Sequence, residues 1–274
     1  EEMLAGHWLL QLSHPQRNVS FLKRDNLYAI EPAHIDAGFA SSYRGLFSLL
    51  TCLPDRRRLI LGQRQPESGE IAPFSVPLED ETTRTIVQNV VRARDYYLLV
   101  GPPGTGKTNV ALRSIVLELL GSLHENENIL LLAYTNRAVD EICEMLENLP
   151  DTPDYIRIGK ELSCSPRYRN RLLDHVTSAC TSRQKLLQRL GPVRVFCGTV
   201  TTLCGTPELF IIKRFHTAII DEASQVLEPQ LMPLLTRTHQ LPNNTLCNAI
   251  GRFIFIGDHK QLPAVVVQPE IQSR

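Results

Sequence analysis

Residues 101–108 place three glycines, an ammonium and a hydroxyl between an apolar run (96–100) and a segment of helical spacing. The eight are Gly101, Pro102, Pro103, Gly104, Thr105, Gly106, Lys107 and Thr108. Glycines let backbone N–H groups turn inward around an anion, and a helix start adds unpaired N–H groups and a positive dipole end. The spacing fits G-x-x-x-x-G-K-[ST], in the strand-before, helix-after context that this phosphate loop requires. Lys107 then reaches the β- and γ-phosphates of a nucleotide, and the Thr108 hydroxyl holds Mg²⁺. A glycine turn that matches by chance is the bland alternative, and the flanking pattern weighs against it.

A phosphate loop needs an acidic strand end for its metal. Residues 217–224, TAIIDEAS, supply one. Asp221 suits the Mg²⁺, and Glu222 suits activation of an attacking water as general base. Residues 253–264, FIFIGDHKQLPA, repeat the design of an apolar strand, a glycine and a polar cluster. Gln261 is placed to hydrogen-bond a γ-phosphate oxygen, and Asp258 to pair with a basic neighbour.

The elements that must position these groups are legible from about residue 77 onward. Apolar runs at 96–101, 129–134, 155–158, 193–198, 217–221 and 252–257 read as strands. Helical spacing covers 79–94, 107–123, 136–149, 167–190 and 229–235. Such alternation predicts an α/β domain with a parallel sheet covered on both faces, its ligands at the carboxyl ends of the strands. Residues 1–76 read as an accessory module, with short strands at 8–12, 27–30 and 58–62, helical spacing at 43–53 and a proline-rich linker over 63–77. Residues 77–274 form the nucleotide domain.

Composition sets the outer limits. Lys+Arg and Asp+Glu balance at 29 each, which excludes a chain-wide basic field, so any polyanion must meet a local groove. An apolar fraction of 43% with 21% charged residues describes a globular chain with a substantial core, and 274 residues suggest about two domains. No apolar run approaches the roughly 20 residues that span a bilayer, and no secretory leader is seen, so no membrane partner is expected. The seven cysteines form no CxxC pair and no zinc spacing. They read as free thiols of an intracellular protein, cytoplasmic or nuclear. The start on Glu1-Glu2 and the stop at Arg274, just after a well-formed motif, suggest a piece of a longer polypeptide.

Five segments occur in order: GPPGTGKT, AYTNRAVDEI (133–142), GTVTTL (198–203), DEAS (221–224) and GDHKQLP (257–263). As a set they resemble the first RecA-like domain of superfamily 1 helicases. The matching group contains the nonsense-mediated-decay RNA helicase and the nuclease-helicase of lagging-strand processing. The resemblance covers about residues 78–268. It implies ATP and Mg²⁺ as cofactors and catalytic roles for Lys107, Asp221, Glu222 and Gln261. It also implies that Thr135, Asn136, Thr199 and Thr201 touch the backbone of a single strand of DNA or RNA. Hydroxyls and amides of this kind bind phosphate without reading sequence, although each also suits the N-cap of a following helix. In that group a small β-barrel and helical stalk precede the phosphate loop, matching residues 1–76. A variable insertion matches 151–190. Its arginines (Arg157, Arg167, Arg169, Arg171, Arg183 and Arg189) are either strand contacts or a solvated face.

Two departures accompany the resemblance. No glutamine stands near Thr82, where the group reads adenine; Gln88 lies one to two turns later. The second RecA-like domain, the expected partner across the cleft, would carry an arginine worth roughly 10³–10⁵ in turnover. The chain by itself is therefore expected to bind ATP better than it hydrolyses it. The leading expectation is an ATP-dependent helicase or translocase with 5′→3′ travel. A GTPase lacks its N-K-x-D signature here, and GDHKQLP is the wrong third motif for a ring-forming remodelling ATPase. A P-loop module that uses nucleotide only to bind or remodel is the remaining alternative.

Overall fold

The computed structural model describes residues 2–4, 7–9, 37–70, 73–77, 80–102, 107–122, 127–258 and 260. The chain divides into two compact units, residues 1–35 and 36–274. In the first, β1 (Glu2–Leu4) and β2 (His7–Leu9) pair antiparallel, with Met3 opposite Trp8. The strand expected at 8–12 is met there at Trp8 and Leu9; that expected at 27–30 lies outside the described residues.

The second unit is built on six strands: β3 (Tyr96–Val100), β4 (Asn128–Ala133), β5 (Tyr155–Ile158), β6 (Val195–Thr199), β7 (Phe215–Ile220) and β10 (Ile250–Gly257). Their order is β3-β10-β7-β4-β6-β5, and every pairing is parallel. All six occupy stretches expected from sequence. A short hairpin, β8 (Thr238–Gln240) and β9 (Leu246–Asn248), stands apart from the sheet.

Strand β4 shows why the sheet is central. Side chains alternate across a strand, so Ile129, Leu131 and Ala133 enter one buried core while Leu130 and Leu132 enter the other. The first core is closed by α3 (Glu81–Arg92), α4 (Arg113–Ser122) and α5 (Asn136–Glu147). The second is closed by α8 (Val200–Cys204), α9 (Leu209–Ile212) and α10 (Glu228–Leu235). Every residue of β4 is buried, the mark of a strand covered on both faces. Phe215 meets Phe196 and Phe210 edge-on, with centroids 5.5 and 5.7 Å away.

Two helices upstream pack into this unit. In α1 (Ala37–Thr51), Gly45 abuts Pro233 of α10, where a Cβ would stand 2.5 Å from the proline ring, so no larger residue fits. Residues 54–60 form α2 (Pro54–Ile60), overturning the strand expected at 58–62. Pro54 and Asp55 in the first turn start a helix readily, and Arg56 and Leu59, one turn apart, are its buried residues. Arg56 donates from Nη2 to the carbonyls of Ile250 (2.9 Å) and Gly251 (2.7 Å). Arg64 grips Asp95 with two 2.7 Å bonds.

The helix expected over 167–190 is broken. A tight turn (Pro166–Arg171), α6 (Leu173–Thr177) and α7 (Arg183–Leu190) replace it. Leu172 adopts extended backbone to bridge Arg157 of β5, and Ser182 then caps α7 by accepting the Lys185 N–H. Tertiary pairing overrode the helical spacing.

Candidate nucleotide and strand site

The motif segments end at one edge of the sheet. The Gly101 N–H donates to the Gly257 carbonyl (3.2 Å), tying the exit of β3 to that of β10. Phe255 pairs with Ile220, Ile220 with Leu132, and Ala133 with Thr199. Strands in a sheet are about 4.8 Å apart, so the exits of β3 and β7 lie about 10 Å apart. After Pro102 the loop residues Pro103, Gly104, Thr105 and Gly106 lie outside the described residues, as does Gln261. The backbone of Lys107 and Thr108 opens a helical segment (Lys107–Leu112), wound in the wider π manner, that runs into α4. The expected strand and helix are thus in place on either side of the loop.

Asp221 follows β7 directly, and its N–H donates to the Leu132 carbonyl (2.8 Å). Its side chain is 4% exposed, and its Oδ1 accepts the Glu222 N–H at 2.9 Å. Glu222 sits in the left-handed region (φ 54°, ψ 33°), shared among the described non-glycine residues only with Asn244. Such a conformation costs on the order of 1–2 kcal/mol and gathers at functional sites. Burial, then the negative charges of Asp221 and Glu141, push the Glu222 carboxyl above the usual carboxylate range. A raised pKa suits a base that must take a proton from water near neutrality.

Gly257 and the segment after it interlock with DEAS. The Ser224 hydroxyl accepts the Asp258 N–H (3.4 Å), and buried Asp258 accepts the Lys260 N–H (2.9 Å). Among the described residues, Asp258 thus engages a backbone amide and no basic side chain. Two contributors escaped the sequence reading. Glu141 stands inside a quoted motif without a role, and the Ser224–Gly257 contact joins residues too far apart in the chain to leave a local signal.

At the positions expected to bind a strand, hydroxyls are engaged with backbone. Thr135 caps α5 by accepting the Ala138 N–H (3.1 Å) and is exposed. Thr199 caps α8 by accepting the Thr202 N–H (3.2 Å), lies 2.7 Å from the Thr202 hydroxyl and is buried. Thr201 is exposed and Asn136 half-buried on the same edge. Thr135, Asn136 and Thr201 remain open to a ligand, whereas Thr199 shapes the turn that presents Thr201.

The arginines of the insertion are largely occupied. Arg157 is 1% exposed and is ion-paired to Asp140, and it also donates to the Cys164 sulfur (3.1 Å) and the carbonyls of Asn136 and Ser163. It therefore does not meet a strand; it fastens β5 to the start of α5, consistent with a structural part for Asp140. Arg167 pairs with Glu147, Arg169 with Glu161, and Arg171 and Arg189 with Asp154.

The donors fit a magnesium nucleotide. Mg²⁺ is held by one or two carboxylates together with substrate phosphates and hydroxyl oxygens. A buried Asp221 on the same edge as the helix that begins at Lys107 and Thr108 meets that need. No described helix is long and apolar enough to cross a membrane.

Comparison with known proteins agrees with this geometry. A family model described as an AAA domain matches residues 83–267. The helicase/nuclease JHS1 of Arabidopsis thaliana, described as a DNA replication ATP-dependent enzyme, is 29% identical over 191 residues. That alignment covers 69% of this chain and 13% of JHS1. The enzyme of the same description named DNA2 is 26% identical in Gallus gallus, over 94% of this chain and 26% of that one. In Homo sapiens it is 25% identical, over 94% and 24%. The chain thus spans about a quarter or less of these relatives. A solved structure of a nuclease-deletion mutant of the Type ISP restriction-modification enzyme LlaGI with a DNA substrate mimic aligns at TM-score 0.47 and 14% identity. It covers 73% of this chain and 19% of that one.

Proposed function

The chain belongs to the AAA-domain family and, within it, to the superfamily 1 helicases of the DNA2-like group; from that premise we propose that it is the nucleotide-binding RecA-like part of an ATP-dependent DNA helicase. One observation carries the reading: the phosphate-loop strand, the Asp221-Glu222 strand and the strand before GDHKQLP are adjacent, with their ends on one edge. The relatives named for DNA replication favour DNA over RNA as the strand.

In this proposal Lys107 and the loop amides of Gly104 to Lys107 bind the triphosphate, while Thr108 and Asp221 hold Mg²⁺, which neutralises charge developing on the phosphates. Glu222 takes the proton from the attacking water. Gln261 senses the γ-phosphate. Thr135, Asn136 and Thr201 hold strand phosphates one and two strands away, so a shift at β7 reaches them through β4 and β6. Residues 1–76 act as the accessory barrel and stalk, and the partner RecA-like domain of the whole enzyme closes the cleft with its arginine. Travel is 5′→3′. The setting is intracellular.

The test is the ATPase rate of the full-length protein with and without single-stranded DNA and RNA. The proposal expects Mg²⁺-dependent hydrolysis stimulated by DNA. Hydrolysis indifferent to either strand would leave the alternative, a nucleotide-dependent binding or remodelling module.

A further inference from the structure

At the opposite edge of the sheet, a cleft of about 470 Å³ opens between the starts of β7 and β10, the residues before β3 and the end of α4. Its described lining carries Arg92, Arg94, Arg214, Arg252 and His216, and no carboxylate among the described residues. Because the chain as a whole is balanced at 29 charges of each sign, this concentration of cations is a local feature.

Many arginines elsewhere are paired with carboxylates. Arg64, Arg157, Arg167, Arg169, Arg171 and Arg189 each meet a carboxylate. None of Arg92, Arg94, Arg214 and Arg252 forms an ion pair among the described residues. Arg92 donates from Nε to the Gly69 carbonyl (3.4 Å), and Arg214 from Nε to the Asn248 carbonyl (3.2 Å). Arg252 is 6% exposed. Its Nη1 donates to the carbonyls of Val90, Val91 and Ala93 at 3.1, 2.8 and 2.8 Å, and its Nε to the Thr217 hydroxyl at 2.8 Å. A buried cation without a counterion is costly, and carbonyl dipoles fix this guanidinium rigidly. Burial draws its pKa down to about 10, so it is charged at neutral pH. His216 lies 2.8 Å from the Thr217 hydroxyl through Nδ1 and 3.9 Å from Glu127 through Nε2, and the Glu127 charge partly offsets the burial of Arg252.

We propose that this cleft is an anion site that takes phosphate groups, with Arg94 and Arg214 as the exposed forks and Arg252 as the fixed charge behind them. Its volume is within the range of small-ligand pockets, and guanidinium forks match phosphate oxygens bidentately. From Arg252 to Gly257 is about 17 Å along β10, so a ligand here is distinct from one on the phosphate loop. The same chemistry is presented by free di- or triphosphates and by a nucleic-acid backbone.

The test uses the full-length protein with its phosphate loop saturated by Mg-ADP. Amide hydrogen exchange is followed over residues 92–94, 214–217 and 250–252. One arm adds inorganic pyrophosphate; the other adds a mixed-sequence single-stranded oligonucleotide. Protection by pyrophosphate identifies a site for free phosphates, and protection by the oligonucleotide alone identifies the backbone as the source. Either supports the proposal if the effect weakens by about tenfold or more in affinity in Arg94→Glu/Arg214→Glu. The milder Arg94→Gln, at an exposed position, guards against misfolding. No protection in either arm, or protection unchanged in the variants, overturns it. ATPase stimulation by DNA is untouched by that failure, so the two readings stand or fall separately.

Discussion

Gly257 lies directly against Ser224: a Cβ built on it would stand 3.0 Å from the Ser224 nitrogen and 3.3 Å from its hydroxyl. The strand end that leads to GDHKQLP is thereby locked to the turn that carries Asp221 and Glu222. Because the contacted atom is backbone, the turn itself would have to move for a methyl to fit. Gly257→Ala is expected to cost about 1–3 kcal/mol of stability and to slow ATP hydrolysis more than it weakens ATP binding. Denaturant unfolding and steady-state kinetics check this; unchanged turnover would show that the contact does not position the catalytic carboxylates.

Glu222→Gln should retain ATP binding in the full-length protein and lose about 10²–10⁴-fold in hydrolysis, because the amide cannot accept the water's proton. Near-normal turnover would remove Glu222 from the base role.

The raised pKa of Glu222 gives a signed pH dependence. Hydrolysis needs the ionised form, so the rate falls as pH drops through a value above the ordinary carboxylate range. Glu141→Gln removes one of the negative charges that raise it and should move that limb to lower pH. The stability effect has the opposite sense. A carboxyl that holds its proton more tightly when folded loses stability as pH rises from the ordinary carboxylate range through the raised value. A pH–rate profile that does not shift in Glu141→Gln would detach Glu141 from the site.

Lys107→Ala should abolish measurable Mg²⁺-dependent ATP affinity by removing the cation opposite the β- and γ-phosphates. Calorimetric titration is the check, and retained affinity would place the triphosphate elsewhere.

Among the polar groups of the proposed strand site, the substitutions separate by burial. Thr201→Ala and Asn136→Ala should weaken single-strand affinity with little loss of stability. Thr199→Ala removes a helix cap and should cost about 0.5–2 kcal/mol whether or not a strand is bound. Arg157→Ala, which leaves Asp140 without its partner, should cost about 3–5 kcal/mol. Arg167, Arg169 and Arg171, already paired, should leave the salt dependence of strand binding unchanged when replaced by alanine. A slope that falls by about one per arginine removed would restore them as phosphate contacts.

The sequence by itself determined the six central strands and the order of the motifs. Apolar runs such as 129–133 and 218–220 have nowhere to go but the middle of a covered sheet, and the glycine–lysine–hydroxyl spacing states its chemistry locally. Tertiary structure decided the rest, because each remaining feature depends on a partner remote in the chain. Residues 54–60 became helix once Arg56 found carbonyls about two hundred residues away at 250 and 251. The helical spacing of 167–190 yielded to a bridge between Leu172 and Arg157. The charge on each arginine reads the same in sequence. Only packing made Arg157 a buried strut and left Arg94 and Arg214 without a carboxylate among the described residues, since a counterion is a property of the fold and not of the residue.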